Sequence, residues 1–435
     1  MRRSSRSSTA RIASSPSGAH SASERSGVNP LRVFYGWIVV GGAFLVLFVA
    51  YGAQYSFGVF FGALLEEFGW SRASLSGAFS LYAFGYCVFG FPAGRLTDVW
   101  GPRVVIAAGG LFLGAALAGM SLVTQLWQPY LLYGLVAALG MGTAYVPCNT
   151  TVVKWFVARR GLAVGLASSG ASVGTFALPP LAQLLVTGVG WRAAYVVFGI
   201  GIAVLLTLAA QVMRRDPESL GLHPDGAGGP VGVVDGAAEG AGPLRRAMRT
   251  RAFWMIAAAF TATWIPVFIP LVHLVPFTRD LGYSALTGAW VVSALGIGAV
   301  AGRLVMGAVS DRIGRKPAVG AAMALQAVGF LGFLLAGRGL AVLFGDALVF
   351  GYSYGAISTL FPAIVGDFFG RGQAGAIVGF LFALAGAMAG WGPLIAGAIY
   401  DATGRYDLVW MLSALLNVVA IALLATTRPP RGVVA

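Results

Sequence analysis

Long apolar runs separated by short polar segments fill most of this 435-residue chain. The runs are about as long as the roughly 20 residues that an α-helix needs to cross a bilayer. The pattern predicts an all-α integral membrane protein with 12 transmembrane helices, at about residues 34–62, 74–97, 103–123, 128–151, 161–187, 191–212, 252–278, 286–309, 317–336, 340–365, 373–399 and 406–427. The polar segments between them leave room for a soluble stretch only around residues 213–250.

The second half of this pattern repeats the first at an offset of 213 residues. The segment from Gly94 reads GRLTDVWGPR and the segment from Gly307 reads GAVSDRIGRK, so that Gly, Asp, Gly and a cation recur in register. A repeat that spans half of an apolar chain predicts two pseudo-symmetric six-helix bundles that face each other. Facing bundles of this kind are the architecture of a rocking transporter.

The composition of the polar segments predicts where the two bundles begin and end. Ser and Arg dominate the N-terminus, and Gly, Ala and Pro dominate the centre, which are compositions of unstructured chain. We therefore expect a disordered cytoplasmic tail, a first bundle, a cytoplasmic linker, a second bundle and a short cytoplasmic tail, at residues 1–32, 33–212, 213–250, 251–427 and 428–435.

Composition and charge favour lipid as the main solvent. Only 10% of the residues are charged and 58% are hydrophobic, whereas soluble domains carry about 25% charged residues. The net charge of +14 does not indicate nucleic-acid binding, because alternate loops collect 23 of the 29 Lys and Arg residues. This asymmetry follows the positive-inside rule, so we expect both termini in the cytoplasm and the helices in the cell (inner or plasma) membrane.

Each copy of the repeated segment places a carboxylate at the end of one helix and cations before the next. Charge-assisted pairs at such a loop can hold one conformation of a moving bundle. We predict a conformational latch made by Asp98, Arg103, Asp311, Arg315 and Lys316. The segment resembles the G-x-x-x-D-x-x-G-[RK]-[RK] loop between helices 2 and 3 of the major facilitator superfamily, which has a degenerate copy between helices 8 and 9. Pro102 departs from that pattern, since the family more often has a cation there.

Three further motifs narrow the resemblance. Tyr35-Gly36-Trp37 opens the first predicted helix, KWFVARRGLA follows from Lys154 at the start of the fifth, and VHLVP follows from Val272 in the seventh. These motifs are similar to signatures of the monocarboxylate-porter and oxalate–formate-antiporter branch. The resemblance implies a transporter of small carboxylates.

Arg303 is the candidate anion anchor, because it lies inside the eighth predicted helix with no acid in the same turn. A cation deep in hydrocarbon costs several kcal/mol unless it faces a cavity or a partner. Its guanidinium can bind a planar carboxylate through two donors. The resemblance implies the same role, since members of this branch place a substrate-binding Arg in helix 8. Ala299 stands where several of them have an Asp. The structural alternative is that Arg303 snorkels to the cytoplasmic surface.

Two further ionisable side chains lie in apolar runs and are candidates for proton coupling, Asp346 and His273. The structural alternatives are a hydrogen-bonded Asp near the outer mouth and a His bonded to a carbonyl. Polar residues of helices 1, 4 and 10, which line the cavity in the resembled fold, complete the predicted substrate site: Gln54, Tyr55, Tyr145, Asn149, Tyr352 and Tyr354. Tyr55 falls where animal monocarboxylate carriers have a Lys. Each Tyr could instead serve packing alone.

These observations predict a secondary active transporter that moves a small monocarboxylate by alternating access in symport with a proton. One cavity cation favours a monoanion by charge balance. We expect a monomer in a lipid bilayer that has no enzymatic activity, no cofactor and no metal. Two rivals remain open, a drug efflux antiporter, which Gly392-Pro393 in the eleventh helix would suit, and a non-transporting membrane receptor. Short loops without a signalling domain speak against the receptor.

Overall fold

The computed structural model describes residues 34–157, 159–226, 241–370 and 374–428, and within these ranges every regular element is a helix. In chain order the helices are α1 (Tyr35–Phe68), α2 (Arg72–Trp100), α3 (Pro102–Met120), α4 (Trp127–Trp155), α5 (Gly161–Gln211), α6 (Ala241–Met248), α7 (Arg251–Asp280), α8 (Ala285–Ile313), α9 (Arg315–Arg338), α10 (Leu340–Phe369), α11 (Ile377–Thr403) and α12 (Asp407–Thr426). All except α6 are long and apolar enough to cross a bilayer, which makes 11 candidate spans among the described residues. The all-α membrane prediction is confirmed.

Parts of three predicted segments lie outside the described residues. They are the N-terminal tail at residues 1–32, residues 227–240 of the linker and residues 429–435 of the C-terminal tail. The described remainder of the linker contains the short helix α6.

Helix α5 contains a break that divides it into two arms. Its 51 residues would form a straight helix of about 77 Å, more than twice the roughly 30 Å hydrocarbon core of a bilayer. Gly190 interrupts it with φ 79° and ψ 157°, a conformation that glycine adopts without a Cβ penalty. The break falls between the fifth and sixth helices that the hydropathy pattern predicts.

The outer surface of the helices is apolar. The side chains of Phe91, Val99, Leu122 and Leu304 are between 71% and 77% exposed. In water this exposure would forfeit about 25 cal/mol for each Å² of apolar area, whereas lipid tails solvate it. The surface therefore fits a hydrocarbon environment.

Glycines set the close approach of α8 and α10 beside Arg303. A Cβ on Gly298 or Gly302 would overlap the backbone of α10, and a Cβ on Gly351 or Gly355 would overlap the backbone of α8. Small residues drive helix association where no hydrophobic effect acts between helices. This contact fixes the height at which Arg303, the neighbour of Gly302, lies in the bundle.

The spans group into two halves that meet along three helix pairs. We call α1–α5 the N-half and α7–α12 the C-half. Helices α1 and α7, α2 and α11, and α5 and α8 pack against each other between the halves. We call the end of the molecule that carries Arg72 and Asp280 the Arg72 end, and the opposite end the Asp98 end.

Candidate functional site

Arg303 has most of its hydrogen-bonding capacity unused. The half-buried residue donates from Nη1 to the Ser168 carbonyl at 3.5 Å, a long and weak bond, and its buried Nε has no partner among the described residues. It forms no ion pair with any carboxylate in the described part of the chain. Since a guanidinium offers five N–H donors in a fixed fork, the arrangement can receive an anion.

Ser168 connects Arg303 to two helices of the N-half. Its hydroxyl donates to Asn149 Oδ1 at 3.2 Å, and Asn149 Nδ2 donates to the Tyr145 carbonyl at 2.9 Å. The predicted residues Asn149 and Tyr145 therefore belong to the surroundings of Arg303. Sequence reasoning missed Ser168, although a polar residue inside an apolar span was a usable signal.

Tyrosine hydroxyls form the polar side of the same site. Tyr55 and Tyr354 join the halves through their hydroxyl oxygens, 2.9 Å apart. The charge of Arg303 interacts electrostatically with Tyr51, Tyr55 and Tyr145. Two of the predicted tyrosines, Tyr55 and Tyr145, thus lie around one cation, together with Tyr51, which the sequence did not single out, and Tyr354 bonds to Tyr55.

The two remaining predicted ligands are less directly placed. Gln54 is buried and accepts from the Tyr82 hydroxyl at 3.5 Å, while its Nε2 has no partner among the described residues. The backbone of Tyr352 packs on Gly302 at the contact of α8 and α10, and its side chain is half-buried.

Aromatic rings continue this site across the two halves. The Tyr145 ring contacts Tyr51 at 6.3 Å between centroids and lies nearly parallel to Phe382 of α11, at 5.7 Å and 8°. Phe382 in turn contacts Trp264 of α7 at 5.4 Å. Trp264 and Phe382 carried no signal in the sequence, because isolated aromatic residues are ordinary in membrane helices.

His273 is fully buried and hydrogen-bonds through both ring nitrogens. Its Nε2 lies 3.0 Å from the Pro393 carbonyl and 3.2 Å from Ser76 Oγ, and its Nδ1 lies 2.9 Å from the Tyr406 hydroxyl. Because a carbonyl only accepts, Nε2 carries the proton and Nδ1 accepts from Tyr406. His273 therefore bonds a carbonyl, as its structural alternative expects, and also reaches Ser76 in the other half.

Asp346 lies against helix α9. Its carboxylate packs on Gly332 of α9, where a Cβ would overlap it. Its buried Oδ2 has no hydrogen-bond partner within the described residues, and it forms no hydrogen bond with either Arg303 or His273.

The predicted latch residues pair differently in the two halves. Asp311 pairs with Arg315 at 2.5 Å, and Lys316 donates to the carbonyls of Ala425 and Thr427 at the end of α12. In the N-half, Asp98 accepts from Lys154 at 2.7 Å.

Arg103 is exposed and makes no ion pair with any described residue. Sequence reasoning did not identify Lys154, which belongs to the motif at the start of the fifth predicted helix, as the partner of Asp98.

Ion pairs and helix capping join the two halves at the Arg72 end. Arg72 donates to both carboxylate oxygens of Asp280 at 2.8 Å and to the Tyr406 hydroxyl at 2.7 Å, with its guanidinium 3.8 Å from the Tyr400 ring centroid. Asp401 accepts the backbone N–H groups of Arg72 and Ala73 at 3.0 and 2.8 Å. A carboxylate at the start of α2 is favoured by the helix dipole.

A second ion pair, between Arg279 and Glu66, also crosses between the halves at the Arg72 end. At the Asp98 end, one described ion pair joins two residues of the N-half and the other joins two residues of the C-half, so neither crosses between the halves. The halves are therefore joined at one end, and their ion pairs leave the other end unbridged among the described residues. In those residues no group of three or more His, Cys, Asp or Glu side chains could hold a metal ion.

Comparisons with known proteins agree with this architecture. The profile of the Major Facilitator Superfamily matches residues 43–289 and 265–434. Monocarboxylate transporter 11 of Homo sapiens is 30% identical over 401 residues, with 88% of this chain and 80% of the relative covered. Monocarboxylate transporter 13 of Bos taurus is 28% identical over 402 residues, with 90% and 89% covered.

A solved structure shares the fold. The crystal structure of a bacterial homologue of the human lysosomal transporter Spinster, in an inward-facing and unoccupied conformation, superposes with a TM-score of 0.71. It covers 92% of this chain and 97% of its own chain at 15% sequence identity, which supports the fold alone. The chain therefore belongs to the Major Facilitator Superfamily, in its monocarboxylate-transporter branch, and is a membrane transporter rather than an enzyme.

Proposed function

We propose that this protein is a secondary active transporter that moves a monocarboxylate by alternating access in symport with a proton. The observation that carries the proposal is Arg303, a half-buried guanidinium without a carboxylate partner among the described residues. A single uncompensated cation balances one carboxylate charge. The monocarboxylate transporters to which the chain is similar support the same substrate class.

The substrate carboxylate would complete the hydrogen bonding of Arg303. Two guanidinium N–H groups bind its two oxygens, which is the geometry that distinguishes Arg from Lys. The hydroxyls of Tyr55, Tyr145 and Tyr354 and the side chain of Asn149 supply further donors around the anion. Gln54 and Tyr352 are the remaining members of this proposed shell.

The proposed cycle rocks residues 33–212 against residues 251–427 around Arg303. The charge distribution assigns the Asp98 end and both termini to the cytoplasm, in a monomer with 12 crossings of the plasma membrane. The cross-half bonds of Arg72 then close the outside, and the unbridged Asp98 end corresponds to an inward-facing conformation. Asp98, Arg103, Asp311, Arg315 and Lys316 act as latches when the cytoplasmic side closes.

His273 is the proposed site where a proton controls the outer closure. Around it lie the hydroxyls of Ser76 and Tyr406, the Pro393 carbonyl, the Phe61 ring and the charges of Arg72 and Asp401. In neutral His273, Nδ1 accepts the Tyr406 proton, while the Tyr406 oxygen accepts from Arg72. Protonation of His273 turns Nδ1 into a donor, so the Tyr406 hydroxyl can no longer donate its proton to it. The conformation with the outer side closed therefore favours neutral His273. Asp346 is the second candidate proton carrier, through its unpartnered Oδ2.

Reconstitution in liposomes tests the substrate assignment. We expect an inward acid gradient to drive uptake of radiolabelled monocarboxylates, and Arg303→Ala to abolish it. Arg338→Ala is the matched control, because Arg338 is an exposed cation of the same half. Monocarboxylate uptake that survives Arg303→Ala would remove Arg303 from the mechanism. Uptake of a lipophilic cation instead of the acids would overturn the proposal and favour the efflux alternative.

The proton step has its own test in the same liposomes. We expect His273→Gln to flatten the dependence of uptake on external pH while substrate exchange across the membrane continues. Asp346→Asn reports on the second candidate. An unchanged proton-to-substrate ratio in both variants would remove both residues from the coupling.

A further inference from the structure

The surroundings of Arg303 are unusually rich in aromatic rings that touch one another. Ring contacts run from Tyr55 to Tyr51 at 6.1 Å, from Tyr51 to Tyr145 at 6.3 Å and from Tyr145 to Phe382 at 5.7 Å. Trp264 extends the series at 5.4 Å from Phe382. The rings come from both halves, so they line the space between the halves that a carried substrate occupies.

Tyr145 and Phe382 of this series are partly exposed, as is Tyr354, whose hydroxyl bonds to that of Tyr55. Tyr51, Tyr55 and Trp264 are at most 7% exposed, but Tyr145 is 36% exposed although its ring contacts both Tyr51 and Phe382. Phe382 and Tyr354 are half-buried. Since the neighbours of Tyr145 on two sides lie inside the protein, its open surface faces the inter-half space rather than lipid.

A three-carbon acid on Arg303 would leave these ring faces against water. An aromatic ligand would cover them, and aromatic pairs gain from offset stacking in addition to the area they bury. We propose that the carried monocarboxylate bears an aromatic ring, with its carboxylate on Arg303 and its ring against Tyr145 and Phe382. This inference rests on the proposed function and specifies its substrate class.

The test compares two acids that differ only by the ring, pyruvate and phenylpyruvate, in the same liposomes. We expect the KM for phenylpyruvate to be about tenfold lower than that for pyruvate, the ratio that one stacked aromatic contact supports. Relative to Tyr145→Phe, which loses the same hydroxyl, Tyr145→Leu should raise the phenylpyruvate KM about tenfold, while the pyruvate KM should be the same in both variants. Tyr145→Phe, which keeps the ring, should restore the preference and shows that the position tolerates substitution.

The outcomes separate this inference from the proposed function. Equal KM values for the two acids, with uptake of both lost in Arg303→Ala, would overturn the aromatic preference and leave monocarboxylate transport standing. A Tyr145→Leu variant that changes both KM values by the same factor would also overturn the preference. If neither acid is carried, the proposed function fails together with the inference. If Arg303→Ala still carries both acids with the same KM values, Arg303 is not the carboxylate anchor and the inference fails alone.

Discussion

Replacing Arg72 with Gln should open the outer side of the transporter. Arg72→Gln removes two charge-assisted bonds to Asp280 at 2.8 Å and the bond to Tyr406 at 2.7 Å, while keeping much of the side-chain length. Each of these bonds joins the N-half to the C-half. Their loss therefore destabilises the conformation in which the Arg72 end is closed, relative to the one in which it is open.

The size of the effect follows from the burial of the pair. Hydrogen bonds to charged groups contribute about 1.5–3 kcal/mol when shielded, and exposed ion pairs about 0–1 kcal/mol. The side chain of Arg72 is 14% exposed and that of Asp280 is 32% exposed, so we take about 2 kcal/mol for the whole connection. This shifts the ratio of open to closed molecules about 30-fold.

Pulsed electron paramagnetic resonance measures that ratio directly. One spin label at Gln125 of the N-half and one at Arg338 of the C-half, both exposed at the Arg72 end, report the distance between the halves. The matched control is Arg192→Gln, because Arg192 pairs with Glu67 at the same end but within the N-half. A distance distribution that stays at the wild-type values in Arg72→Gln, or that broadens equally in Arg192→Gln, would refute the reasoning.

Two further substitutions test the packing and the latch. Gly302→Ala should cost about 1–3 kcal/mol in stability, because its Cβ would overlap the backbone of α10. Thermal unfolding in detergent checks this against Gly320→Ala in α9, whose Cβ would meet nothing within 4 Å and should leave the midpoint unchanged or higher. In double-mutant cycles on the free energy of unfolding, Asp98 and Lys154 should show a coupling energy of about 0.2–1 kcal/mol, since they lie 2.7 Å apart. Asp98 and Arg103 should not couple, and a coupling between them would contradict the observed pairing.

The sequence already contained the residues around which the site is built. Arg303 stood out because a permanent cation in an apolar membrane segment is costly. The repeated segments around Asp98 and Asp311 indicated that the chain contains two similar bundles. Both signals are local or periodic, so they can be recognised in the sequence without knowledge of any tertiary contact. The substrate-binding roles of the predicted polar residues stay predictions.

The partners of these residues were beyond the reach of sequence reasoning. Asp98 was expected to pair with Arg103, five positions along the chain, but it accepts from Lys154 on another helix. The link from Arg72 to Asp280 spans 208 positions, and the stacking of Tyr145 on Phe382 joins the two halves. No motif marked Phe382 or Trp264. The sequence shows which helix a residue belongs to, but it does not show which way that helix is turned and therefore which neighbours the residue contacts.

The sequence by itself determined that this chain is a doubled bundle of membrane helices with one cation, Arg303, inside an apolar segment. Hydrocarbon imposes that outcome, because any 20-residue apolar segment must satisfy its backbone within a helix. Only the tertiary structure decided which side chains surround Arg303 and which end of the molecule is joined. Those contacts depend on the rotation of each helix about its axis and on its height in the bundle. Close packing fixes both, since at Gly302 even an added Cβ would overlap the neighbouring helix.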